Sequence, residues 1–263
     1  MKLFQIIIFA LFLTPYITAE ENFSQDTIKI TILYDNVAYD SNLKTSFGFS
    51  AFIEKEGKKI LFDTGGKEDM LIHNMKQKGI DPRSIDIIII SHDHWDHYGS
   101  IVRLLEYKPS IPVYIPASSW KNVQELIRIF RGDVIPVKEP TEIFDNLYLT
   151  GDFDNATKEQ SLAIKTGKGV FLLSGCGHPG IENMVYHANK ALDQEVYFIA
   201  GGILMKNKTN EEILQTIHNL QEIGVEYIAP SHCTGDSAFV KMKEHFKEKY
   251  IESGVGKIFL LID

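Results

Sequence analysis

Apolar residues in this chain fall into short strand-like runs at first and into alternating strand and helix patterns later. Residues 28–34, 47–53 and 59–62 are rich in β-branched and aromatic side chains and bounded by polar turns, which predicts three strands. The stretch EKEGKK (54–59) predicts a tight hairpin with Gly57 near its tip. A helix over 68–77 is expected to stop at Gly79. Residues 85–90 are apolar apart from Asp86, and the four isoleucines 87–90 suggest a strand covered on both faces. Further on, 118–130 has helical spacing with a serine at its start. Strands are expected near 147–149, 161–165, 170–173, 196–200 and 225–228. The stretch 209–224 is the clearest helix: Ile213, Ile217, Leu220 and Ile223 form one stripe, Thr209 or Asn210 caps it, and Gly224 ends it. This mixture fits an α/β (α+β) chain with sheets at the centre and helices outside.

Composition narrows the partners. The net charge of −8 and the lack of any basic run argue against nucleic acid, because phosphate contacts need clustered Lys and Arg. A small-molecule substrate is the expected partner; nothing in the pattern sets an oligomeric state. Lys2, the uncharged run 3–19 and the small Ala19 read as a signal peptide over 1–19. Seventeen residues fall short of the roughly 20 that a spanning helix needs, so no stable membrane insertion is expected after cleavage. Export to a periplasm or to the medium follows, and 20–263 remain as one folded domain.

The chemistry concentrates in SHDHWDHYGS (91–100), which holds three of the nine histidines. Imidazole and carboxylate are donors suited to divalent zinc, iron or manganese. His92 and His94, two apart on an extended segment, project to the same side and can chelate one ion. Asp96 and His97 follow after the chain begins to turn and can face a second. Two more histidines stand in glycine-containing stretches that follow apolar runs, His178 in LLSGCGHPG and His232 in IAPSHCTG. His73, His187, His218 and His245 lie in polar, helix-like surroundings and read as surface.

SHDHWDH resembles the His-x-His-x-Asp-His motif of the metallo-β-lactamase superfamily, and Asp63 in LFDTGG, His178 and His232 match its flanking motifs in order. The resemblance spans essentially all of 27–263. FDTGG, SGCGHPGI, AGG and PSHCTG together look most like the dihydropterin–ribofuranosylaminobenzene phosphate synthase-like branch. The resemblance implies a four-layer αββα sandwich with metals at one edge of the paired sheets. It implies that His92, His94 and His178 hold one ion and that Asp96, His97 and His232 hold another. Asp63 would orient the histidine loop without ligating. One or two divalent ions are implied, zinc first, with iron or manganese as alternatives.

One departure stands out. Most two-ion members carry a bridging aspartate between the matches to His178 and His232, just after a strand, but here 196–200 run into Gly201, Gly202, Ile203 and Leu204. Asp236 is the nearest acid that could reach inward. The branch often has a histidine near Leu204, also missing. Without a bridging anion two cations repel more strongly, so one tight and one weaker site is expected. Cys176 and Cys233 flank His178 and His232. Packing as small residues is the preferred reading for them, with thiolate ligation and a disulfide left open.

A zinc-type ion lowers the pKa of bound water from about 16 to roughly 7–9. The expected reaction is therefore hydrolysis of a phosphoester, lactone or acyl ester, with Asp96 orienting the water or passing its proton. Two alternatives stand beside it: a pterin-related transferase or synthase of the same fold, and a non-hydrolytic iron oxidoreductase or lapsed metal-binding protein.

Overall fold

The computed structural model describes residues 27–153 and 158–262; the expected signal peptide lies outside them. In chain order the elements begin with β1 (Thr27–Tyr34), β2 (Ser50–Lys55), β3 (Lys58–Phe62), α1 (Glu68–Gln77), β4 (Ile87–Ile89), α2 (Trp95–Tyr98) and α3 (Ile101–Tyr107). Next come β5 (Pro112–Pro116), α4 (Lys121–Ile129), β6 (Asp133–Val137), β7 (Thr141–Phe144), β8 (Leu147–Leu149), β9 (Leu162–Thr166) and β10 (Gly169–Ser174). The chain continues through α5 (Ile181–Leu192), β11 (Val196–Gly202), α6 (Asn210–Glu222), β12 (Tyr227–Ser231), α7 (Asp236–Phe246) and β13 (Ile258–Ile262). No described helix is long and apolar enough to cross a membrane.

The strands form two mixed sheets, in the orders β13-β1-β2-β3-β4-β5-β6 and β12-β11-β10-β9-β8-β7. Alternation along the strands sends one set of side chains between the sheets, where Ile30, Phe49, Phe62 and Ile89 meet Leu162, Phe171, Leu173 and Phe198. The opposite face of the first sheet, with Leu61, Ile88 and Val113, packs under α1, α3 and α4 through Leu71, Met75, Leu104 and Ile127. The second sheet does the same with α5, α6 and α7 through Met184, Ile217 and Met242. The result is the expected αββα sandwich. Ile88 and Ile89 of β4 serve opposite faces, as the isoleucine run predicted.

The main differences from the predicted elements have local causes. The second strand begins at Ser50 rather than residue 47, because Gly48 (φ +134°) breaks the extended run and the Phe49 amide donates to Asp96 O instead of to a neighbouring strand. The helix expected from a serine start is capped at Trp120, with no side-chain cap bond; Asp93 takes the Trp120 amide at 2.8 Å. Of the two expected caps Thr209 closes α6, in a capping box in which Thr209 and Glu212 bond each other's backbone amides.

Strand direction decides where chemistry can gather. β3, β4, β5 and β6 run parallel, as do β10, β11 and β12. β1 is antiparallel to β2, which is antiparallel to β3, so β1 shares the direction of β3. The residues just past β1, β3, β4, β10 and β12 therefore reach one edge of the sandwich.

Candidate metal centre

That edge brings together all six predicted donors. His92 follows β4, and His94 is still extended (φ −84°, ψ 140°), so the two histidines face the same way, His92 Nε2 lying 3.1 Å from His94 Nδ1. The chain then turns into α2 and carries Asp96 and His97 to a second position. His178 arrives from the loop after β10; its ring lies 4.6 Å from His92 and 4.7 Å from His94, centroid to centroid. His232, just past β12, puts Nε2 3.2 Å from His97 Nε2 and 3.2 Å from Asp96 Oδ2. Donor atoms of His92, His94 and His178 lie within 4.8 Å of one another, and so do those of Asp96, His97 and His232. Asp236 stays exposed on α7, away from both sets.

The hydrogen bonds behind the histidines decide which nitrogen faces inward. His97 Nδ1 donates to Asp63 Oδ2 at 2.7 Å. Ser91 Oγ also donates to Asp63 Oδ2, at 2.7 Å, and is thereby left to accept from His92 Nδ1 at 2.9 Å. Asp63, set in the left-handed region (φ +56°), takes the Ser91 amide on its other oxygen at 2.7 Å. One carboxylate thus orients a histidine of each triad. A Cβ on Gly175 would lie 2.3 Å from Ser91 Oγ and 3.0 Å from Asp63 Oδ2, so only glycine lets β10 approach this network.

Two further anchors escaped the sequence reading. Glu159, fully buried, accepts from His178 Nδ1 at 2.9 Å and from the amides of Cys176, Gly177 and His178 at 2.8–3.1 Å. Asn36 Oδ1 accepts from His232 Nδ1 at 2.9 Å, while Asn36 Nδ2 donates to His232 O at 3.0 Å. Asp35 takes the His232 amide at 3.2 Å and helps hold that residue at φ +49°. An Asp-Asn pair directly after an apolar strand is the signal that could have found Asp35 and Asn36; Glu159, three residues before β9, left none. Of the other four histidines, His187 is not a surface group; its Nε2 bonds Thr150 O at 2.8 Å.

Four histidines therefore spend Nδ1 on an outside acceptor and turn Nε2 toward a common space. Ring nitrogens facing each other at 3.1–3.2 Å are close enough to share a cation, so this donor set fits a divalent ion at each triad. Electrostatics agree. Burial pushes His92 well down, and it lowers His94 as well and His232 to about 4, so these rings are neutral donors. Burial acts against charge at Asp96, but hydrogen bonds from His232 and His97 hold its carboxyl well below the usual range. Burial also opposes the charge of Glu159, and the hydrogen bond from His178 keeps it ionised. His97, despite burial, is raised to about 10 by the Asp63 charge and its hydrogen bond.

His94, Asp96 and His178 are half-buried and mark the open side of the centre. Around it stand Phe47, Trp95 and Trp120, all more than half exposed. Phe47 packs on the His232 ring at 4.8 Å, and Trp95 borders a depression that also includes Lys44, Ser46 and Lys67.

The comparisons with known proteins point the same way. Residues 43–145 match the metallo-beta-lactamase superfamily model. The chain is 31% identical to the 7,8-dihydropterin-6-methyl-4-(beta-D-ribofuranosyl)-aminobenzene-5'-phosphate synthase of Methanocaldococcus jannaschii, over 89% of this chain and 96% of that protein. A shorter match, 40% over 79 residues, joins 28% of this chain to 20% of the flavo-diiron protein FprA2 of Clostridium acetobutylicum. Among solved structures, Tm1679, a metal-dependent hydrolase of the beta-lactamase superfamily, shares the fold with a TM-score of 0.75 at 24% identity, over 90% of this chain and all of that one. With the sandwich, the motif order and this end-to-end relative in agreement, the chain belongs to the metallo-β-lactamase superfamily, in the branch of the dihydropterin–ribofuranosylaminobenzene phosphate synthase.

Proposed function

We propose that this member of a metal-using enzyme superfamily hydrolyses a small phosphoester, lactone or acyl ester at a two-ion centre. The observation that carries the proposal is the convergence of four Nε2 atoms, each fixed from behind, on a space that opens at His94, Asp96 and His178. A divalent ion bound there supplies activated water near neutral pH and a Lewis acid for developing negative charge.

The chain's own groups do the rest. Asp63 and Glu159 fix His92, His97 and His178 so that little reorganisation accompanies reaction. Asp96, ionised and open to solvent on one side, is placed to orient water or accept its proton. The rim residues Phe47, Trp95 and Trp120, with Lys206 Nζ 5.9 Å from the Phe47 ring, suit a substrate with a planar ring and an anionic group.

The same rim favours a second reading, a pterin-related synthase, which the 31% identity to the archaeal enzyme supports independently. Assaying purified protein on phosphodiesters, lactones and thioesters, and on a dihydropterin with ribofuranosylaminobenzene phosphate, separates the two. Ester turnover lost in His94→Ala supports hydrolysis, and condensation alone moves the assignment to the synthase. Turnover on neither, with iron as the resident metal, would favour a redox role. Residues 1–19 carry an added proposal of export. N-terminal sequencing of the mature protein should find them removed, and a cytoplasmic chain starting at Met1 would contradict it.

A further inference from the structure

The strand that would carry a bridging aspartate, β11, ends in Gly201 and Gly202. A Cβ on Gly202 would sit 2.1 Å from Gly175 O, 3.0 Å from Cys176 Cα and 3.0 Å from Cys233 Sγ. No side chain fits there, so backbone packing excludes a carboxylate at Gly202. Glu159 does not replace it, since its two oxygens are taken by three amides and by His178 Nδ1 on the far side of that ring.

Sulfur lies between the triads instead. Cys176 Sγ is 3.4 Å from His97 Nε2. It lies within 4.8 Å of the donor atoms of His92 and His97, and within 4.8 Å of those of His232 and Cys233. His92 belongs to one triad, His97 and His232 to the other, so Cys176 reaches both. Its amide is pinned at 2.8 Å by Glu159, the acid that also pins His178, and Cys233 Sγ donates to Cys176 O at 3.2 Å. Both cysteines are buried free thiols.

We propose that Cys176 is a metal ligand whose thiolate is shared by the two triads in place of a bridging carboxylate, with Cys233 positioning its loop. Binding replaces the S–H bond by sulfur–metal bonds and releases one proton to solvent, with no change of oxidation state. A soft anionic donor at the shared position selects zinc or ferrous iron over manganese. It also offsets the repulsion between two cations that an absent carboxylate would leave. The inference rests on the two-ion reading above.

Cobalt(II) added anaerobically to metal-free protein tests it. The expected spectrum has visible ligand-field bands together with a near-ultraviolet thiolate-to-cobalt charge-transfer band. Cys176→Ser should keep the visible bands, lose the charge-transfer band and bind the second equivalent at least about tenfold more weakly. Cys233→Ser should keep both kinds of band. Visible bands without charge transfer in the unaltered protein would overturn the thiolate and leave the metal centre standing. Loss of charge transfer in Cys233→Ser alone would assign the wrong sulfur and overturn it too. No cobalt bound at all would overturn the two-ion reading itself. If Cys176→Ser does not fold, cadmium NMR of the unaltered protein decides. A resonance shifted downfield by sulfur supports the proposal, and one in the nitrogen–oxygen range contradicts it.

Discussion

The two triads use nearly the same donors and are held in different ways. His97 and His232 are buried, backed by Asp63, Asp35 and Asn36 from β-strand ends that form early in the chain. His94 and His178 are half-buried, and His178 depends on one long-range acid, Glu159. The buried side is fixed by the same contacts that close the sandwich; on the open side His178 depends on a single acid, while His92 shares Asp63 through Ser91. Position in the fold, more than donor identity, separates the two sets of donors.

The largest break in that contrast should come from Asp63→Ala. It leaves His97 Nδ1 and the two Ser91 donors unpaired at a fully buried point, and should cost about 3–5 kcal/mol in chemical denaturation of the metal-free protein. A cost below about 1 kcal/mol would show that this carboxylate does not hold the two triads together. Next, Glu159→Gln should weaken ion binding about 10–100-fold at the open triad while the buried triad changes little, as calorimetric titration can resolve. Equal weakening at both would erase the distinction. Asn36→Ala is the reciprocal test, expected to cost about tenfold at the buried triad, since it removes only a neutral acceptor behind His232. The smallest effect belongs to Thr209→Ala. Losing the α6 cap should cost about 1 kcal/mol of stability and leave metal binding untouched.

How legible this was in the sequence depended on whether a residue's role left a local trace. The ligand loop was readable because two donors on an extended segment followed by two on a turn is a pattern within six residues. His178 and His232 were readable from glycines beside a strand end. Glu159 was not: in TKEQS it looks like any solvated acid, and only the fold reveals that the run Glu159–Gln160–Ser161 is buried. The buried acid stands before His178, outside the interval to His232 where a bridge would fall, and serves as an anchor, not a bridge. Asp35 and Asn36 read as an ordinary turn, because their partner His232 lies 196 positions away from Asn36. The two cysteines changed meaning most. Packing was a sufficient account until Gly202 proved too crowded for a side chain and Cys176 Sγ proved to lie within reach of both triads.

The strand and helix plan fared similarly. Long stripes such as that of α6 declared themselves, while short edge strands such as β6 and β7, partly exposed and polar, carried no clean alternation.

Metal stoichiometry of refilled protein, by elemental analysis against protein concentration, bears most directly on the two-triad centre. The account predicts about two equivalents of zinc per chain, falling to about one when either His94 or His97 alone becomes alanine. An unaltered chain that retains no more than one equivalent, or variants that retain as much metal as the unaltered chain, would contradict it.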